Sequence, residues 1–477
     1  MNSLSLSTKV ALALFSATFA LTAYQYSWGP PLPYLIRFFA FEYGNIAQSL
    51  ALEGRFASPF TAPTGATAWM PPVQPTIYAV VFHLFGVKTL AAARCIIVLK
   101  WLAVTLCAYN LAVCARRYGL KDPWKLILVF ALFVFNQFEW FFQHLMDIWL
   151  ITLLFSLALR CIAELAEGPP RAWHLLFAFF LPITNPALSL AFFVAIVARF
   201  GKKREIWIMF LALLLPVVGW GVRNKMVLGR AYPIKSNLWF EFYLSNACAP
   251  LGHLRTSVII GHHPFGGDRY TARQIASEGE VNFLDRYRDV SFRLIRDEPG
   301  TVLRRIGQRL FYIFVFHHQS HNIVPARTLL GEDDLLVLIK AGLAHQFFPN
   351  SPHYWLAVDE PLSEVEKSFD SLELREPEKA WESLLQTRAE LKQNRREPGY
   401  ILWGLAYGLL PTLGILVGFF RFGLRHPDFT SAVVLYLVYL TPYVLVSYAS
   451  WYSLMALPVQ AWLVWRAFFT SGLTWEA

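Results

Sequence analysis

The sequence predicts an all-α polytopic membrane protein: about ten transmembrane helices, amphipathic helices in a first outer loop, and a large second outer loop. Three observations carry this. Of the 477 residues, 56% are hydrophobic and only 16% charged, against about 45–50% and ~25% in soluble chains. The apolar residues are gathered into runs long enough to enter or cross a bilayer. The basic residues between those runs fall in short clusters. A mean hydropathy of +0.41 agrees, and 17 Trp and 40 Phe suit interfacial belts and a packed bundle. This balance excludes a soluble enzyme, a disordered tail and a disulfide scaffold. The net charge of +10 is read as topology and anionic-lipid contact rather than nucleic-acid binding.

The first run, about Val10 to Tyr24, follows Lys9 and lacks a good small-residue cleavage site, so a retained helix is expected. Further runs lie at about 90–115, 124–141, 145–163, 173–199, 205–221, 401–420, 430–449 and 451–469. Pro182 and Pro186 interrupt 173–199, which therefore reads as two short helices meeting at a turn. Basic clusters at Arg116, Arg117, Lys121 and Lys125, at Lys202, Lys203 and Arg204, and at Arg421 and Arg425 all belong in the cytoplasm by the positive-inside rule. That requires 173–199 to cross twice, with both termini cytoplasmic. The chain then divides into a transmembrane module at 1–221 that includes the outer loop 28–88, a large extracytoplasmic loop at 222–400, and C-terminal spans at 401–477.

The large loop changes character along its length. Residues 222–330 hold about 15 Lys and Arg against about 8 Asp and Glu, whereas 331–400 hold about 8 against about 14. The second part reads as a solvated, acidic helical insertion. Of five cysteines, Cys95, Cys107, Cys114 and Cys161 lie in apolar runs and Cys248 in a polar stretch, so no disulfide framework is expected.

The first outer loop is the most informative stretch. In Glu42-Tyr43-Gly44-Asn45-Ile46-Ala47, Ile46, Ala47 and Leu50 share one helical face and Gly54 is a natural stop. A short amphipathic helix on the membrane surface is expected. Glu42 in its first turn is favoured in the ionised form by the helix dipole and is a candidate general base. A Pro- and Gly-dense path follows through Gly65-Ala66-Thr67-Ala68-Trp69-Met70-Pro71-Pro72, then a second amphipathic stretch from Thr76 to Phe85, ending at Gly86.

An acid-led helix after the first span, then Gly-x-Thr-Ala-Trp-x-Pro-Pro and a hydrophobic-Phe-Gly, resembles the GT-C superfamily of polytopic glycosyltransferases. These include protein O-mannosyltransferases and aminoarabinose transferases. The nearer likeness is to a bacterial branch whose first loop carries Glu-x-Gly-x-Ile-Ala. Trp220-Gly221-Val222-Arg223-Asn224, with Gly229-Arg230, Lys235, Asn237 and Glu241, resembles that family's entry into its large loop. The likeness spans roughly residues 30–320. Departures are Phe39-Ala40, where relatives often carry adjacent acids, and Tyr452 to Pro458, where they often show Arg-Tyr-x-x-Pro.

The resemblance implies an inverting transferase in the bacterial inner membrane, with a periplasm-facing site in the cell envelope. It would move a sugar from a polyprenyl (undecaprenyl) phosphate to a glycan, lipid or protein acceptor. Glu42 would be the base and Asp147, at the mouth of a span, the second acid. Glu139 ranks below them. Phosphate or substrate contacts fall to Arg223, Lys235, Arg230, Asn237, Glu241 and His263, with Lys225 beside them. Lys100 joins this set if it faces the bundle. Snorkelling to the interface is the plainer expectation for it and for Arg94.

No cofactor is expected. A divalent metal on His317 and His321, with His262, His263 and His318 nearby, is the weaker alternative, because no Cys or acid stands at ligand spacing. Nothing resembles a nucleotide-binding fingerprint. Two other readings stay open: a flippase for a polyprenyl-linked glycan, for which no paired halves are visible, and a non-catalytic assembly subunit.

Overall fold

The computed structural model describes residues 4–28, 39, 41–60, 63–135, 137, 141, 145–201, 203–249, 252, 254, 263, 264, 269–315, 317, 400–423 and 425–470. The expected acidic insertion, and the candidates Glu139, His262, His318 and His321, lie outside these residues. Among the described residues the chain is all-helical, with one isolated bridge between Ala57 and Ala66. All five cysteines are free thiols.

The helices in order are α1 (Leu6–Trp28), α2 (Glu42–Glu53), α3 (Val73–Phe85), α4 (Leu90–Arg117), α5 (Pro123–Phe135), α6 (Ile148–Leu165), α7 (Ala172–Phe180), α8 (Pro186–Phe200) and α9 (Arg204–Leu228). Then come α10 (Leu238–Tyr243), which runs into a π-turn at Leu244–Cys248, α11 (Arg269–Glu278), α12 (Glu280–Asp297) and α13 (Pro299–Phe314). After 400 follow α14 (Tyr400–Phe422), α15 (Pro427–Leu445), α16 (Ser450–Met455) and α17 (Leu457–Phe469). Among the described residues five helices are long and apolar enough to cross a membrane: Leu6–Tyr24 within α1, then α4, α6, α9 and α15. Val73–Phe85, α5, α8 and Ala406–Phe422 are apolar but shorter.

Three sequence expectations meet their physical reasons here. The interrupted run 173–199 is two helices, α7 and α8, joined at 181–185. Asn185 caps the second by accepting the Leu188 N–H at 2.8 Å, and Pro186 occupies its first turn. Gly54 ends α2 in the left-handed region at φ 66°, returning its N–H to Leu50 O. The expected continuous span 451–469, by contrast, breaks at Ala456 into α16 and α17. Pro458 lies in the first turn of α17, where its missing N–H costs no helical bond.

The apolar face of α2 also departs from expectation. Ile46 and Ala47 are fully buried, and the helix packs chiefly on α3, so protein rather than lipid covers that face. The bundle itself is built on α4 against α6, α8 against α15, and α14 against α17. In the last pair Gly414 lets the backbones approach, since a Cβ there would stand 3.1 Å from the Leu463 carbonyl.

Polar groups concentrate at the two ends of the bundle. At one end Glu164 is buried among Arg117 Nη2 at 3.0 Å, Arg160 Nε at 2.9 Å, Arg171 Nη1 at 3.5 Å and His174 Nε2 at 3.4 Å. Glu167 also pairs with Arg117 and lines a cavity of about 280 Å³ with Lys203 and Glu205. Arg466 is fully buried at the end of α17 and pairs with Asp428 at 2.7 Å, the Phe422 ring 4.0 Å from its guanidinium carbon. Arg421 donates to Ala467 O and to Thr470 O. The other end carries the turn 181–185 and the described residues of the first loop and of 229–315. Val73 N–H donates to Ile183 O at 3.4 Å, and Ser236 N–H to Ala68 O at 2.9 Å.

Candidate functional site

The site forms where α2 begins. Glu42 is the first residue of that helix, after Phe41 at φ 53°, a left-handed conformation for an aromatic residue. Such local strain persists only where surrounding packing over-determines it. Gly44 is required one step further on, because a Cβ there would collide with the Phe39 carbonyl. The turn into α2 is thus fixed by contact on one side and strain on the other. It sets Glu42 and Tyr43 inward, both buried.

Tyr43 donates its hydroxyl to Asp147 Oδ2 at 2.7 Å, joining α2 to the start of α6. Tyr78 of α3 donates to Leu145 O at 2.6 Å and holds the same approach. Glu42 Oε1 stands 3.5 Å from His263 Nε2. That imidazole is surrounded by the rings of Phe60, Trp69 and Phe240, with centroids 6.0, 5.8 and 5.6 Å away. Burial, then Lys235, push the His263 pKa down to about 3. Its contact with Glu42 is therefore one of a neutral ring and not an ion pair.

Glu241, near the end of α10, is half-buried. It accepts from Asn237 Nδ2 and from Ser447 Oγ, each at 3.3 Å. Burial raises the pKa of Glu42, Asp147 and Glu241 alike, and Lys235 opposes that rise at all three. Glu241 and Asp147 each add a like-charge push at Glu42. One lysine therefore serves the field of three carboxyls, and these four groups with His263 form one electrostatic unit.

Glu42 ends up near pKa 7, with burial the largest cause and a bond to its own backbone N–H the main opposing one. This corrects the expectation of a carboxylate kept ionised by the helix dipole. A dipole contributes about 0.3–1 kcal/mol, and desolvation of a buried charge outweighs it. The result is a carboxyl poised to exchange a proton near neutrality, as a general base requires.

The cations divide. Lys235 joins the cluster, half-buried. Arg223 does not. Its guanidinium donates to Thr67 O at 2.7 Å, to Phe56 O at 3.1 Å and to Asn224 Oδ1 at 2.9 Å. It also lies over the rings of Phe56 and Trp220. Through the bonds to Thr67 O and Phe56 O, Arg223 fastens the first loop to the end of α9. Arg230 pairs with Asp285 on α12, and Lys225 folds back to Gly229 O. Lys100 is 0% exposed within α4, so the snorkelling expectation is wrong for it. Among the described residues no group of three potential ligands could hold a metal. His317 faces the Tyr448 hydroxyl at 3.1 Å.

Several residues here were not singled out by sequence. Glu280, at the start of α12, accepts the Thr67 hydroxyl, the Ala68 N–H at 2.9 Å and the Ser236 hydroxyl at 2.7 Å. This explains Thr67-Ala68-Trp69: two groups anchor on Glu280, and Trp69, 0% exposed, packs against Phe60, Phe240 and Phe283. Only the glycine before Glu280 distinguishes it in sequence from Glu278 or Asp285. Tyr443 and Tyr452 stack with centroids 4.2 Å apart at 24°. Tyr452 lies within the fields of Glu42, Asp147 and Glu241.

Chemically, the arrangement offers a near-neutral buried carboxyl, two further acids, one cation and a tyrosine wall, at the junction of two loop regions. No protein-family model matches the chain, and no curated protein or solved structure gives a significant match.

Proposed function

We propose that the protein is a GT-C-like integral-membrane glycosyltransferase. It would transfer a sugar from a polyprenyl phosphate to an acceptor at the extracytoplasmic face of a bacterial inner membrane. In this reading about ten helices cross or enter the bilayer, both termini are cytoplasmic, and the first loop and residues 222–400 face outward. The observation that carries the proposal is the meeting of Glu42, Asp147, Glu241 and Lys235 in one field, with Glu42 near pKa 7.

The acceptor hydroxyl attacks the anomeric carbon as Glu42 takes its proton. The bond from that carbon to the phosphate oxygen breaks, and the phosphate leaves with the electron pair. Lys235 offsets the charge that builds on it. Asp147, held by Tyr43, orients the sugar or acceptor, and Asn237 and Ser447 hold Glu241. Arg223 and Glu280 keep the first loop seated. No metal is assigned a part.

The test uses the full chain in lipid nanodiscs or vesicles with a labelled polyprenyl-phosphate sugar. Sugar consumption that Glu42→Gln lowers at least ~100-fold, with folding intact, is expected for loss of a general base. Near wild-type turnover in that variant refutes the assignment. Lipid translocation without consumption indicates the flippase.

A further inference from the structure

The carboxyl cluster has an aromatic wall that the proposed chemistry does not use. Tyr443 ends α15 and Tyr452 lies in α16, and their stacked rings are both half-exposed. Tyr439 packs on Tyr443 at 5.1 Å and Trp451 on Tyr452 at 5.8 Å. Tyr439 and Tyr443 exchange a hydroxyl contact, and Asn185, from the turn between α7 and α8, reaches Tyr443. Four rings from two elements thus form the wall, with Tyr452 in the field of Glu42, Asp147 and Glu241 and with Tyr439 and Tyr443 in that of Asp147.

Lys235, Glu241, Tyr443 and Tyr452 are the partly exposed members of the site, while Glu42, Tyr43, Asp147 and His263 are buried. An incoming ligand meets the partly exposed groups first. A hydrocarbon chain is a poor occupant, because it would take the half-buried Lys235 and Glu241 further out of water and offer no polar group in return. A planar aromatic ligand would leave those same groups unused. A polyhydroxylated ring suits both surfaces, with C–H faces against the aromatic rings and hydroxyls toward Glu241, Asp147 and the phenols.

We propose that Tyr452, backed by Tyr443, is the platform on which the sugar ring of the donor sits. This rests on the glycosyltransferase reading and adds the place of the sugar within it. Tyr452 contacts substrate and takes no part in proton transfer.

The experiment measures binding to the full chain in nanodiscs of undecaprenyl phosphate alone, and of the same lipid bearing a hexose or a pentose. Wild type should bind at least one sugar-bearing lipid about tenfold more tightly than the bare lipid, the range expected of a good aromatic contact with added hydrogen bonds. Tyr452→Leu, which fills similar space without a ring, should reduce that advantage to about twofold or less. Binding of the bare lipid should stay near wild type. Tyr452→Phe should keep most of the advantage, which a merely structural role for the hydroxyl would not predict. If Tyr452→Leu fails to fold, Tyr443→Leu provides the same comparison.

The platform is overturned if the ringless variants keep the full advantage, or if sugar adds nothing in wild type. Tyr452-dependent sugar binding without transfer to any acceptor leaves the platform standing and removes the transferase reading. Glu42-dependent transfer that Tyr452→Leu leaves unchanged in KM does the opposite.

Discussion

Glu42→Gln takes a proton-dependent charge out of a site where burial has moved a carboxyl from 4.5 to about 7. The folded protein holds that proton more tightly than the unfolded chain does. Stability from the protonated form is therefore complete below 4.5 and is lost as pH rises through about 7. Above pH 7 the difference amounts to about 3 kcal/mol, at ~1.4 kcal/mol for each tenfold change in proton affinity. Glutamine is neutral at every pH and escapes this loss, while keeping the shape and the bond to the backbone. Denaturant unfolding in mixed micelles at about pH 5 and about pH 8 reads the effect as a difference of differences. The variant should exceed wild type by less than about 1 kcal/mol at the lower pH and by about 3 kcal/mol at the higher. It would be a stabilised protein that has lost its reaction, as expected where activity requires a strained or costly group. An equal effect at both pH values, or a loss of stability at both, refutes the argument that desolvation sets the Glu42 pKa.

Three further outcomes follow from the same structure. Transfer should rise with pH with a midpoint near 7, as Glu42 sheds its proton, and a rate that is flat across that range excludes Glu42 as the base. Glu280→Leu should strand the Thr67 and Ser236 hydroxyls and the Ala68 N–H. The cost is about 3 kcal/mol or more, and hydrogen exchange at residues 66–69 should quicken while the bundle helices stay protected. Arg466→Met alone should cost about 3–5 kcal/mol by leaving Asp428 buried and unpaired, whereas Asp428→Leu combined with it should recover most of the loss. Thermal melts of the two single variants and the double variant decide this.

Much of the scaffold was legible because its signals are local. Pro182 and Pro186 cannot share one straight helix, and Gly54 supplies a left-handed stop, so both breaks follow from single residues. Glu42 opens the first-loop helix, Asp147 stands at the mouth of a span and Lys235, Glu241 and His263 lie in the second loop, and the structure brings all five together. What stayed hidden depends on contacts between distant segments. Nothing near Arg223 in the chain announces that its donors are committed to Thr67 and Phe56. The stacking of Tyr443 on Tyr452 needs α15 and α16 to fold back on each other, and the break at Ala456 that permits it lies inside what reads as one continuous run. Glu42 itself shows the limit of local reasoning: the dipole of its own helix is readable in sequence, but the burial that overrules it depends on segments distant in the chain, His263 among them.

The bond from Thr67 to Glu280 crosses 213 positions, and that from Ala68 to Glu280 crosses 212. A ribosome adding about 5–20 residues per second reaches Glu280 roughly 10–40 s after it has made Thr67. Throughout that interval the Thr67-Ala68-Trp69 segment has emerged without its anchor, and Phe283, one of the rings that pack on Trp69, is still to be made. Maturation of the first loop is therefore tied to translation of the second half of the chain. A truncation before residue 280, or a stall in that stretch, leaves an aromatic segment open to the quality-control proteases of the membrane, even where every preceding helix has inserted correctly.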